Sequence, residues 1–228
     1  MRYSNLTYKS NVFLKRFAHS SRYLRSSNIV NNLKFKTFLD FGTGDGQFFD
    51  FLIVKPDKKY FAYEPYKEMY LQFLKNKKKL SHVSIIKNKN NLKKNFYDVI
   101  TVNEVIEHLN DKDIFEVIKI LKKIAKKNST IIISVPIEVG FSSLIKNLIR
   151  IFYNSKHENM TLNNLLKSIF RKKIDRGNKK YIKSHIGFDY IELKKILENH
   201  FSIKNISYSP FNILKGFLNS QIFFICKL

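Results

Sequence analysis

The residues best placed to do chemistry lie in the run Phe38-Leu39-Asp40-Phe41-Gly42-Thr43-Gly44-Asp45-Gly46. Glycines at this spacing let the backbone turn sharply and approach a ligand without interference from Cβ, and a helix predicted over Gln47–Val54 would offer free N–H groups at its start. Such a loop cradles a ligand. It is not a Walker-type phosphate loop, because no Gly-Lys-Ser/Thr follows, and its third glycine falls one position too early for a dinucleotide fingerprint. Its distinguishing mark is Gly-x-Gly-x-Gly with an acidic residue two positions before the first glycine. A second carboxylate, Glu64, ends a predicted strand eighteen residues beyond Gly46, where it can accept hydrogens from both hydroxyls of a ribose. Strand, loop, helix, strand and acid in this order outweigh the alternative of a surface turn with an incidental glutamate.

These residues need a frame, and short apolar runs alternating with amphipathic stretches supply one. Strands are predicted at Thr37–Phe41, Tyr60–Glu64, Val83–Lys87, Tyr97–Asn103 and Thr130–Val135. Between the last two, Asp111–Lys127 carries Ile114, Val117, Ile118, Leu121 and Ile124 on one helical face, with Asn110 or Asp111 as cap. Near the end a helix is predicted over Tyr190–His200, then strands Phe201–Tyr208 and Ser220–Lys227 as a closing hairpin, with Ser209, Pro210 and Gly216 between them. The fold class is α/β, a Rossmann-like doubly wound, mostly parallel seven-stranded sheet with a C-terminal antiparallel hairpin. Residues 1–34 form a helical N-terminal cap, and 35–228 form the main domain with a helical insertion at about 141–183. In that insertion Phe141, Leu144, Ile145, Leu148, Ile149 and Phe152 make an apolar stripe, expected to pack against the domain or a second copy, followed by basic Lys167, Arg171, Lys172 and Lys173.

Composition sets the outer limits. A chain of 228 residues, 44% apolar and 14% aromatic, suffices for one α/β domain with a sizeable core and argues against disorder. The single cysteine, Cys226, excludes an intramolecular disulfide framework and a multi-Cys zinc site. Met1–Ser10 is polar, without the apolar stretch of a secretory signal, and no run of about 18 apolar residues occurs, so the expectation is a soluble, cytoplasmic protein without a transmembrane segment. The net charge of +24 would point to nucleic acid or an anionic membrane. That signal is diluted: 35 lysines stand against only 7 arginines, and bidentate phosphate readers favour Arg. Nucleic-acid binding is therefore not favoured, and peripheral membrane contact would run through the basic amphipathic insertion.

From about Phe35 onward the chain resembles the class I S-adenosylmethionine-dependent methyltransferases. The resemblance implies S-adenosyl-L-methionine as cofactor, with Asp40, Gly42, Thr43, Gly44 and Gly46 as its first motif, Glu64 on the ribose and Tyr66 near the adenine. The run Phe96 to Leu109, with Asn103-Glu104-Val105-Ile106-Glu107-His108, looks like the family's fourth strand and following loop, placing Asn103 and Glu104 at the cofactor's methionine end. Where many relatives carry an Asp for the adenine amino group, Asn88 stands at the matching position, and its side-chain oxygen can accept the same bond. More locally, His19 to Tyr23, Val135 to Glu138 and Gly187 to Tyr190 are similar to a subgroup found among bacterial cell-surface polysaccharide genes, which implies a saccharide or other small-molecule acceptor. A general base for such an acceptor would be His108 or His185, with Glu107 and His157 as further candidates. Arg22 and Tyr23 would either close over the cofactor or pack the N-terminal segment. No metal site is expected, because Glu104, Glu107 and His108 lack convincing third and fourth ligands. The alternatives are an RNA methyltransferase, supported by the charge, and a catalytically inactive methyltransferase-like partner subunit.

Overall fold

The strands β1 (Thr37–Phe41), β2 (Lys59–Tyr63), β3 (Val83–Ile86), β4 (Tyr97–Asn103), β5 (Ala125–Pro136), β6 (Ser202–Ser209) and β7 (Gln221–Lys227) form one sheet in the order β3-β2-β1-β4-β5-β7-β6. The computed structural model describes residues 13–152, 160–177 and 181–228. Strands β1 to β5 pair in parallel, and β7 enters antiparallel between β5 and β6. The chain winds outward from β1 through β2 to β3, then returns to the other side of β1 with β4. That reversal is a topological switch point, the place where open α/β sheets bind ligands at the carboxyl ends of their strands.

The helices are α1 (Phe13–Asn31), α2 (Lys67–Lys75), α3 (Asp111–Ile124), α4 (Phe141–Phe152), α5 (Leu162–Ile169) and α6 (Tyr190–Glu198). Strand residues alternate between the two faces: Phe38 and Ile132 join one core with Val30, Phe48, Phe49 and Phe73, while Leu39, Ile131 and Ile133 join the other with Ile114, Ile118, Leu121, Leu193 and Leu197. A sheet buried on both faces explains the near-continuous apolar runs of β1 and β5. Phe38 and Leu39 are both fully buried, each side chain stabilising by about 1.5–3 kcal/mol. Cys226 is buried too, its thiol pushed up to about 12 by burial, a packed and unreactive side chain.

Local chemistry explains the element ends. Asn110 caps α3 by accepting from the Asp113 N–H at 2.9 Å, and Asp189 caps α6 by accepting from the Ile191 N–H at 2.8 Å. Two expectations differ from the structure. The helix expected over Gln47–Val54 is a single 3-10 turn, Gln47–Phe51, because Gln47, Phe48 and Phe49 are all drawn into the core at its start. Of the apolar stripe of α4, Phe141 and Leu148 are 45% and 57% exposed and Leu144 and Ile145 half-buried, whereas the fully buried positions are Ser142, Ser143 and Asn147, with Ser143 and Ser168 hydroxyls 2.6 Å apart between α4 and α5. No described helix is long and apolar enough to cross a membrane.

Candidate active site

The site gathers where β1, β2 and β4 end. The glycine loop leaves β1 with its amides committed to protein: Gly42 and Thr43 N–H both donate to the Tyr63 carbonyl, at 2.8 and 3.1 Å, and Gly46 N–H donates to the Thr43 carbonyl at 3.1 Å. The loop is thus a turn that grips the end of β2 through the Gly42 and Thr43 amides. Glu64, the residue after β2, completes the grip. Its two carboxylate oxygens accept from Gly44 N–H at 2.7 Å and Tyr66 N–H at 2.8 Å. A carboxylate has about four lone-pair positions, so two remain for hydroxyl donors such as those of a ribose.

Gly44 shows that the loop fits such a ligand. Its φ of +63° is costly for other residues, and a Cβ there would meet no protein atom within 4 Å. The position opens onto unfilled space beside the Glu64 carboxylate rather than into the core. Asp40 lies beneath, buried on β1, accepting from the Thr101 hydroxyl at 2.7 Å and the Asn103 amide at 3.4 Å. Burial pushes Asp40 up to about 6 against those hydrogen bonds. Burial, with the nearby Asp40 charge, likewise pushes Glu64 up to about 7 although two amides favour its ionised form.

Across the switch point, Asn103 ends β4 and Oδ1 accepts from the Ser26 and Ser134 hydroxyls at 3.0 and 3.1 Å. Glu104 follows with a left-handed φ of +55° and is held by Arg22 of α1 and Gln221 of β7. Arg22 thus ties the N-terminal helix to Glu104 at this end of the sheet, while Tyr23 packs the helix against Phe48 and Phe51.

A second cluster lies beyond Glu104. Glu107 and His108 share a 3-10 turn, Ile106–His108. The return of the insertion docks on it: Ile182 N–H donates to the His108 carbonyl at 2.9 Å, and His108 Nδ1 lies 2.7 Å from the Ile182 carbonyl. A carbonyl only accepts, so Nδ1 carries the proton and Nε2 keeps its lone pair. This clamp brings His185 to His108, ring centroids 4.9 Å apart, and one ligand atom from each of Glu107, His108 and His185 lies within 4.8 Å of the others. Burial lowers the pKa of both rings, that of His185 to about 4, so both are neutral at physiological pH. Tyr181 stacks on His108 at 4.8 Å and on Tyr66 at 6.2 Å, making a row of near-parallel rings whose two tyrosines are more than half exposed.

The structure thus joins Asp40, Gly42, Thr43, Gly44, Gly46, Glu64, Asn103 and Glu104 at the strand ends, and His108 and His185 beside them. Asn88 is exposed just after β3, its Oδ1 accepting the Asn90 N–H at 2.9 Å. His157 lies outside the described residues. Sequence reasoning passed over Tyr181, Gln221 and Arg176, the last donating to the Glu107 and Ser184 carbonyls. Only Arg176 left a trace, as one of few arginines in a lysine-rich chain. A neighbouring cleft of about 680 Å³ is lined by Asn110, Arg171, Lys173, Arg176 and Glu192 and includes none of the glycine loop.

A family model described as a methyltransferase domain matches residues 14–171. Among solved structures, the chain is similar to a protein of Pyrococcus horikoshii (TM-score 0.65, 13% identity, covering 99% of this chain and 95% of that one). It is also similar to an S-adenosylmethionine-dependent methyltransferase of Clostridium acetobutylicum (0.61, 15%, 99% and 96%) and to a SAM-dependent methyltransferase of Aquifex aeolicus (0.58, 17%, 93% and 95%). No curated protein matches the chain. Fold and site together define a class I methyltransferase architecture. The chain belongs to the methyltransferase-domain family, and its cofactor is S-adenosylmethionine, for which the open glycine turn and the two free lone-pair positions of Glu64 are suited.

Proposed function

We propose that the protein methylates a hydroxyl of a small saccharide acceptor, such as a surface-polysaccharide precursor. The observation that carries this reading is the exposed Tyr181 ring, stacked on His108 and so adjoining the neutral His185, which offers a flat apolar face beside proton-accepting groups. When bound, S-adenosylmethionine supplies an electrophilic sulfonium methyl. The chain's own work is binding and positioning: Glu64 and the glycine turn hold the ribose, Asn103 and Glu104 line the methionine end, and α1 excludes water through Arg22. Donation of His108 Nδ1–H to the Ile182 carbonyl leaves the Nε2 lone pair to act on the acceptor hydroxyl, either by taking its proton or through a bound cation.

A screen of nucleotide sugars and lipid-linked sugars with methyl-labelled cofactor tests this. Labelled sugar in any of them supports the reading. Steeply salt-dependent, sub-micromolar RNA binding with labelled RNA would replace it by an RNA methyltransferase, the reading the +24 charge favours. Cofactor binding without turnover on any acceptor, with a stoichiometric protein partner, would instead mark an inactive partner subunit.

A further inference from the structure

Glu107 is completely buried, and among the described residues neither of its carboxylate oxygens meets a hydrogen-bond donor. Burying an unpartnered carboxyl is unfavourable by several kcal/mol, and interiors retain such groups where a partner of another kind is supplied. The groups facing it identify that partner. His108 and His185 each bring an imidazole nitrogen, and the three ligand atoms fall within 4.8 Å of one another. His108 donates its other ring N–H to the Ile182 carbonyl, the outer hydrogen bond that orients ligating histidines, and Arg176 holds the Glu107 carbonyl.

We propose that Glu107, His108 and His185 bind a divalent transition-metal cation whose open coordination positions take a hydroxyl of the methyl acceptor. Two imidazoles and a carboxylate suit Zn²⁺, Co²⁺ or Mn²⁺ rather than Ca²⁺ or Mg²⁺, which prefer oxygen alone. Three protein ligands leave room for a substrate oxygen, the pattern of catalytic rather than structural sites. The missing ligand that argued against a metal at the sequence level is His185, which the insertion's return delivers from 77 residues away in sequence. This deepens the methyltransferase reading and rests on it: a cation-bound hydroxyl releases its proton to solvent water more readily, leaving an oxygen able to accept the methyl group.

The test uses the full chain, stripped with chelator and titrated with CoCl₂ by visible absorption and calorimetry. One Co²⁺ should bind per chain. Loss of an outer partner typically weakens metal sites about 10–100-fold, so Glu107→Gln and His185→Asn should each weaken binding at least about 100-fold. His200→Gln, edge-on to Phe115, should bind as wild type does, and melting curves establish that each variant is folded. Absence of binding of Co²⁺, Mn²⁺ and Zn²⁺ to wild type at millimolar concentration, or unchanged affinity in both cluster variants, overturns the proposal. S-adenosylhomocysteine binding to the metal-free chain separates the two readings. If it binds and no metal does, the cation site alone falls. If Co²⁺ binds as expected but no cofactor analogue does, the methyltransferase reading falls and the site stands.

Discussion

Cofactor affinity should depend on pH through Glu64. Burial and the neighbouring Asp40 raise this carboxyl from 4.5 to about 7, while Gly44 and Tyr66 N–H groups pull the other way. Ribose hydroxyls donate to the ionised form, so binding selects it and releases a proton. If only the ionised form binds, the competent fraction is about 0.9 at pH 8 and about 0.1 at pH 6, a roughly tenfold rise in Kd over that interval. Glu64→Gln removes the titration and sets an amide NH₂ against one of the two backbone donors. Losing one charge-assisted hydrogen bond weakens binding by about 1.5–3 kcal/mol, roughly 10–150-fold, at pH 8. Calorimetry with S-adenosylhomocysteine at pH 6, 7 and 8, in buffers of different ionisation enthalpy, reads both affinity and proton release. A flat wild-type Kd across this range would refute the reasoning, as would an unchanged pH slope in Glu64→Gln.

Glycine substitutions should separate binding from folding. Gly44→Ala meets no protein atom, so its stability falls only by the left-handed backbone strain of about 1–2 kcal/mol, read as a small drop in melting temperature, while cofactor binding is lost. Gly46→Ala puts Cβ 2.6 Å from Leu80 and 2.8 Å from Phe73, so it should destabilise the fold itself, measured by denaturant unfolding. Because Asp40 and Glu64 hold protons more tightly folded than unfolded, they favour the native state at low pH, and that preference is lost as pH rises through about 6 and 7; Asp40→Asn should reduce this decline in ligand-free stability. Asp98 shows the opposite sign: burial opposes its charge, but Lys126, Thr37 and the Lys36 amide hold it down at about 2, so Asp98→Asn should destabilise by about 1–2 kcal/mol at pH 7 after allowance for solvent screening. Leu148→Asp, on the outward face of α4, should shift stability by no more than about 0.5 kcal/mol, and a large loss would mean that this face is covered in solution.

By itself the sequence determined the sheet and the cofactor end of the site. The strands are apolar runs too short for helices, α3 has a strict helical period with its own cap, and Asp40 to Glu64 lie within one strand-turn-strand unit, so local spacing fixes their meeting. The seven strands and the closing antiparallel hairpin are legible in the same alternation, but their order, with β7 inserted between β5 and β6, is set by the tertiary structure. Tertiary structure decided everything whose partners are distant in sequence. Gln47–Phe51 has helical periodicity, yet the core's demand for Phe48 and Phe49 holds it to one 3-10 turn. The α4 stripe reads as a core face, but hydroxyl and amide contacts with Ser168 of α5 turn the polar Ser143 and Asn147 inward. His108 and His185 could each be named from the sequence, but not their meeting beside an unpartnered Glu107, because their proximity depends on the Ile182 clamp. Periodicity records which face of an element is apolar, whereas the choice among competing burial partners, and any cluster assembled across a long insertion, is an energy of the whole fold.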